Sequence, residues 1–278
     1  MPGKKFVFLE EEKPVLLPLW REAFTGVDWL LLRTRPVYYG VGVPKGDGAA
    51  VITVPGFLGH DIYLREMNAW LKRIGYKPYG SNIGHNAECP DILIDRLLLT
   101  LQKATNETGR PVNLIGHSLG GILSRAAAVL APEQVASVIT LGSPFRGIHS
   151  HPSVMQTSRI VRKRIESRRH TRPANKPLKQ ACFTMNCNCA FADAVRMGLP
   201  EHIHETAIFT KTDGVVDWNV CVSGTPSQDF EVQGTHCGLA WNHDAYAIMA
   251  RRLKLSAESA NLGPALAAST RDKVASVV

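Results

Sequence analysis

The amino-acid sequence predicts an α/β protein with a mostly parallel central sheet and helices on both of its faces. Two observations carry that expectation. Short apolar runs such as AAVITV, VNLIG and VASVITL alternate with amphipathic stretches of helical period, the pattern of strands buried on both faces and joined by crossover helices. Glycines close two of the helical stretches, at Gly75 and Gly109, where a left-handed stop suits the chain.

Taken in order, PVLLPLWREAFTGVDWLLL (14–32) reads as an interrupted apolar helix whose bulky positions are Trp20, Phe24, Trp29 and Leu30 to Leu32. Such a stripe is expected to pack on the core, with docking on a membrane surface as its other use. PVYYGVGV (36–43) and AAVITV (49–54) read as strands joined by a turn at 44–48. Helical patterns at 60–75 and 91–109 flank a short strand from Lys77 to Ile83. PVNLIGHS (111–118) is a buried strand, LGGILSRAAAVL (119–130) a helix and VASVITLGSP (135–144) another strand.

The alternation breaks from about Phe145 to Pro200 and resumes with HIHETAIFTKTDG (202–214), a strand near Asp229 to Val232 and a helix over 242–255. The Ala- and Ser-rich tail beyond it is expected to fray. One domain over 1–255, with an insertion at about 145–200 and a flexible tail at 256–278, accounts for this order.

Hydrophobic residues make up 45% of the 278 and charged residues 20%, which excludes a disordered or fibrous chain. The net charge of +8 is local. Nine Arg and Lys side chains lie between Arg159 and Lys179 against one acid, Glu166, so the remainder is formally neutral. A solvated cationic face is the plain use of this run, and attraction to anionic lipid or acidic substrates comes next. Nucleic acid is not an expected partner, because no recognition motif or aromatic platform accompanies the charge.

Six cysteines are too few for a disulfide scaffold, and Cys187-Asn-Cys189 lacks zinc-knuckle spacing. Free buried thiols are expected, or one disulfide among Cys182, Cys187 and Cys189. No run reaches the roughly 18 apolar residues of a spanning helix. The N-terminus lacks the apolar run and cleavage site of a signal peptide, so a cytoplasmic location is the expectation.

Gly116-His117-Ser118-Leu119-Gly120 has the form of a nucleophile elbow. Small residues two before and two after Ser118 relieve crowding in a tight strand-to-helix turn, and the helix start faces a developing oxyanion. Val54-Pro55-Gly56-Phe57-Leu58-Gly59-His60-Asp61 follows an early strand and is a Gly-rich turn able to present a backbone N–H. The oxyanion hole would then be the amides of Phe57 and Leu119.

With these motifs the sequence resembles the bacterial true-lipase branch of the α/β-hydrolase fold. PGFLGHD (55–61), GHSLGG (116–121), TDGVV (212–216) and GTHCGL (234–239) fall in that branch's order and cover most of residues 50 to 255. Pro55 departs from the His often found there, and no convincing aspartate pair for a structural calcium is present. The resemblance implies a mostly parallel sheet, helices on both faces and a cap or lid insertion.

It also implies a Ser-acid-His order. Asp213 fits the acid, since it precedes Gly214 in a tight turn after an apolar strand, whereas its rival Asp217 lies beside Trp218. His236 fits the base, in a loop before the last helix. His243 follows the natural N-cap Asn242 and suits a structural role. His117 is expected to point away from the Ser118 hydroxyl and to pack behind the elbow.

The expected chemistry is acyl transfer from a small-molecule or lipid ester through Ser118, needing no cofactor or metal. An acyltransferase or thioesterase would use the same residues. In a further alternative, the basic segment serves binding and the machinery is vestigial. The stretch SVMQTSRIVRKRIESRR (153–169) reads as an amphipathic lid helix, whose cations would permit peripheral contact with an anionic membrane.

Overall fold

The computed structural model describes residues 8–167 and 189–262. Its centre is a six-stranded, wholly parallel sheet. In spatial order the strands are β3 (Lys77–Gly80), β2 (Ala50–Val54), β4 (Val112–His117), β5 (Val135–Leu141), β7 (His204–Phe209) and β8 (Asp229–Glu231).

The helices are α1 (Thr25–Thr34), α2 (Arg65–Arg73), α3 (Pro90–Thr108), α4 (Leu119–Leu130), α5 (Pro152–Ser167), α6 (Ala190–Arg196) and α7 (His243–Leu262). Strand residues alternate between two cores. Ile52, Leu114 and Val138 pack toward α3, α4 and α6, while Val51, Ile115 and Ile139 pack toward α2 and α7. The apolar runs that marked strands in the sequence are continuous because both faces are covered.

Strand β6 (Gly147–Ser150) leaves this sheet and pairs in parallel with β1 (Leu9–Pro14), so the first strand among the described residues joins the segment between β5 and β7. That segment continues as α5 and α6. The helix pattern at 153–169 is met by α5, whereas Arg168, Arg169 and the rest of the basic run, with Cys182 and Cys187, lie outside the described residues.

Three expectations need correction. Residues 36–43 form no strand. Pro36 opens a single 3-10 turn over Pro36–Tyr39, and Gly40 closes it at φ +76°. The Val37 carbonyl accepts from Trp70 Nε1 at 2.8 Å rather than from a neighbouring strand. Residues 14–32 are helical only from Leu19, first as a 3-10 turn over Leu19–Phe24 and then as α1. Of their apolar side chains only Leu32 enters the core. Trp20 is 66% exposed, Phe24 53% and Leu30 57%, and only Leu32 is buried. The last helix passes Leu255 to Leu262, because Leu253 and Ser256 are buried and keep it docked.

Candidate active site

The segments that follow the carboxyl ends of β2, β4, β5 and β7 line a cavity of about 550 Å³. Ser118 connects β4 to α4 at φ +52° and ψ −125°, a strained conformation for a residue with a Cβ. The surroundings enforce it. A Cβ at Gly116 would lie 2.4 Å from the Gly120 carbonyl oxygen, and one at Gly120 would lie 2.2 Å from that of Val54. The Ser118 N–H donates to the Leu141 carbonyl at 2.8 Å, which pins the turn to the end of β5.

The loop after β2 stands beside this turn. Its Leu58 N–H donates to the Asn86 carbonyl and its Gly59 N–H to that of Gly56, both at 2.9 Å. Asn86 Nδ2 donates to the Pro55 carbonyl at 2.8 Å, bracing the loop without the His expected from the resemblance. The Phe57 N–H enters no hydrogen bond among the described residues. Leu119 is the first residue of α4, where helix N–H groups have no intrahelical acceptor. Phe57 and Leu119 both line the cavity.

Asp213 lies buried in the turn after β7. Its Oδ1 accepts the N–H groups of Val215 and Val216 at 2.8 and 2.7 Å, leaving Oδ2 to face His236 Nδ1 at 2.6 Å. Gly142, at φ +54°, gives this pair room, since a Cβ there would sit 3.2 Å from His236 Nδ1. With Nδ1 donating to the carboxylate, Nε2 of a neutral His236 holds the free lone pair. Burial pushes the imidazole down, but the Asp213 charge and hydrogen bond, joined by Glu22, raise it above the ordinary 6.5. Ser118 and His236 share the cavity wall. Among the described residues no hydrogen bond joins them, a looseness common before substrate binds.

The rivals are engaged elsewhere. Asp217 caps the turn at Trp218–Val220 and faces His149 at 3.8 Å. His243 opens α7, whose first N–H groups are capped by Asn242 Oδ1 at 3.0 and 2.9 Å. His117 is buried, and its Nε2 lies 2.9 Å from the His236 carbonyl oxygen. Cys89 and Cys221 are buried free thiols, Cys237 is free and partly buried, and Cys189 is partly buried at the start of α6.

Two acids escaped the sequence reading. Glu22 and Asp28, from the 14–32 stretch, accept hydrogen bonds from the backbone of the Asp213 and His236 loops. The available signal was that they are the only acids in that apolar run. The cavity's remaining wall is mainly apolar, with Ile148, Met155, Val161, Ile165, Phe191 and Val195 from the segment between β5 and β7, and Phe8 and Glu12 from beside and within β1. Arg162 lines it too, ion-paired to Glu12.

Residues 97–186 match the sequence model of a family described as alpha/beta hydrolase fold. A triacylglycerol lipase of Burkholderia plantarii is 38% identical over 131 residues, 44% of this chain and 37% of that lipase. A triacylglycerol lipase of Pseudarthrobacter phenanthrenivorans is 38% identical over 106 residues, 35% of this chain and 33% of that one. The mitochondrial palmitoyl-protein thioesterase ABHD10 of Rattus norvegicus is 30% identical over 125 residues, 40% of this chain and 41% of that protein. The matches therefore span less than half the length of these relatives.

Among solved structures, one reported for the metagenome-derived lipolytic enzymes LipS and LipT superposes with a TM-score of 0.52. The match covers 78% of this chain and 96% of that one at 15% identity. The chain has the α/β-hydrolase fold, and over part of its length it is similar to bacterial triacylglycerol lipases.

Proposed function

We propose that the protein is a serine carboxylic ester hydrolase acting on hydrophobic or lipid-like esters, with Ser118, Asp213 and His236 as its triad. The observation that carries this reading is the 2.6 Å contact between His236 Nδ1 and Asp213 Oδ2 on the cavity that Ser118 also lines. His236 Nε2 takes the Ser118 hydroxyl proton as Oγ attacks the ester carbonyl, and Asp213 holds the tautomer and the imidazolium. The amides of Phe57 and Leu119 receive the oxyanion. His236 then protonates the leaving alkoxide, and water repeats the sequence to free the acid.

In this reading residues 1–255 form one hydrolase domain, and the chain between β5 and β7 is its cap. The apolar side chains of α5 and α6 supply the acyl-chain wall. The outward cations Arg159, Lys163 and Arg164 support peripheral contact with anionic lipid. Arg162, turned inward to Glu12, does not join them.

A thioesterase is the second reading, favoured by the similarity to the rat palmitoyl-protein thioesterase. Hydrolysis of p-nitrophenyl esters of increasing chain length, beside a palmitoyl thioester, tests both. Turnover by the wild type that falls to near background in Ser118→Ala supports the triad. A wild type inert on all of them sinks it, and a rate confined to the thioester selects the second reading.

A further inference from the structure

Glu22 lies 192 residues from Gly214 and 214 from His236, whose loops it holds. Its Oε1 accepts the N–H of His236 at 2.9 Å and that of Gly214 at 3.1 Å, and its Oε2 accepts the N–H of Cys237 at 2.9 Å. One carboxylate therefore bridges the turn that carries Asp213 and the loop that carries His236. Asp28, on α1, adds a second anchor. Its Oδ2 accepts the Thr235 N–H at 3.1 Å and the Thr235 hydroxyl at 2.9 Å.

The loops are shaped to admit these acids. A Cβ at Gly214 would stand 3.1 Å from Glu22 Oε1, and one at Gly238 would stand 1.9 Å from Asp28 Oδ2. Charge-assisted bonds from backbone N–H to carboxylate are stronger than neutral ones. They fix the separation between His236 and Asp213, on which proton transfer depends. A carboxylate this close also favours the imidazolium that forms during attack.

We propose that Glu22 is a positioning residue that locks the His236 loop onto the Asp213 turn, with Asp28 as its second anchor. The proposal rests on the assignment of Ser118, Asp213 and His236 as the triad. The groups around His236 are the carboxylates of Asp213 and Glu22, the ring of His117 at 5.0 Å between centroids, and the Cys237 thiol. Asp28 stands beyond, through Thr235, and the Tyr63 hydroxyl donates to the Cys237 carbonyl. Removing the Glu22 charge lowers the His236 titration, because that charge is one of the forces raising it.

The test compares wild type with Glu22→Gln, Glu22→Ala and Asp28→Asn. Readouts are kcat and KM on a p-nitrophenyl ester, the pH profile of kcat/KM, the NMR titration of His236, and amide exchange at Gly214, His236 and Cys237. In Glu22→Gln we expect kcat to fall about 10- to 100-fold with little change in KM, the acid limb and the NMR midpoint to move to lower pH, and the three amides to exchange faster. If Glu22→Ala does not fold, Glu22→Gln carries the test, because it keeps one acceptor oxygen. An active wild type whose folded Glu22→Gln form keeps its kcat and its His236 midpoint overturns the clamp. An inert wild type whose His236 midpoint and amides still respond to Glu22→Gln supports the clamp and sinks the triad assignment instead.

Discussion

His117 Nε2 lies 2.9 Å from the backbone carbonyl oxygen of His236. A carbonyl only accepts, so Nε2 carries the proton and Nδ1 is left bare. Among the described residues that Nδ1 is buried without a partner, with Gly56 packed against it. Burial, reinforced by His236, pushes the His117 pKa down to about 3. The residue before the proposed nucleophile therefore braces the proposed base in neutral form.

This brace makes the fold acid-sensitive in a definite window. The unfolded chain binds a proton at His117 near 6.5, whereas the folded chain does so near 3. Between those values the unfolded state holds more protons, so stability falls as pH falls, by up to about 1.4 kcal/mol per pH unit. His117→Gln should flatten that slope. Urea midpoints of both proteins from pH 7 to pH 4 measure it, and parallel slopes would refute the assignment.

His236 titrates in the opposite sense. Its pKa is raised above 6.5, with burial opposing and Asp213 prevailing. In the proposed triad only neutral imidazole takes the Ser118 proton, so kcat/KM should fall as pH drops through that raised value. Asp213→Asn should move the limb to lower pH and reduce kcat by about 10⁴-fold. A pH–rate profile of each enzyme on a soluble ester decides the point, and an acid limb below 6.5 in the wild type would contradict it.

On the opposite core, Arg125 of α4 is buried in an ion pair with Glu205 at the start of β7, its guanidinium 4.2 Å over the Phe145 ring. Arg125→Ala leaves Glu205 without that partner and should destabilise the protein by about 3–5 kcal/mol. Arg125→Met with Glu205→Leu should recover much of the loss. Denaturant titrations that give both variants the same stability would show that packing, not charge, sets the cost.

The outer face of α5 predicts a difference between substrates. Replacing Arg159, Lys163 and Arg164 with Gln removes about 1 kcal/mol of attraction per charge near an anionic bilayer. Hydrolysis of an ester held in anionic vesicles should drop at least tenfold, while a soluble ester is cleaved at the original rate. Equal losses on both would end the membrane-contact reading.

Sheet, helix order and the residues at the cavity were legible because each leaves a local mark. The elbow needs Gly116 and Gly120 at fixed offsets, Asp213 needs the turn before Gly214, and Asn242 announces α7. What stayed hidden depends on distant partners. Nothing near Glu22 indicates that its acceptors will meet the amides of Gly214 and His236. Nor does the sequence near Leu9 foretell pairing with Gly147. Residues 36–43 misled for a different reason: Pro36 and Gly40 outweighed the β-branched pattern once Trp70 claimed the Val37 carbonyl.

The pairing of β1 with β6 and the reach of Glu22 to the last loops also set an order of assembly. Both contacts close long loops, so they gain their stabilisation late, after the local β4–α4–β5 unit has formed. Residues 9–28 are thus the part that completes the fold, and under the proposed clamp the His236 and Asp213 loops stay unlocked until those residues settle. Pulsed hydrogen exchange during refolding should show the amides of Gly214, His236 and Cys237 gaining protection after those of β4.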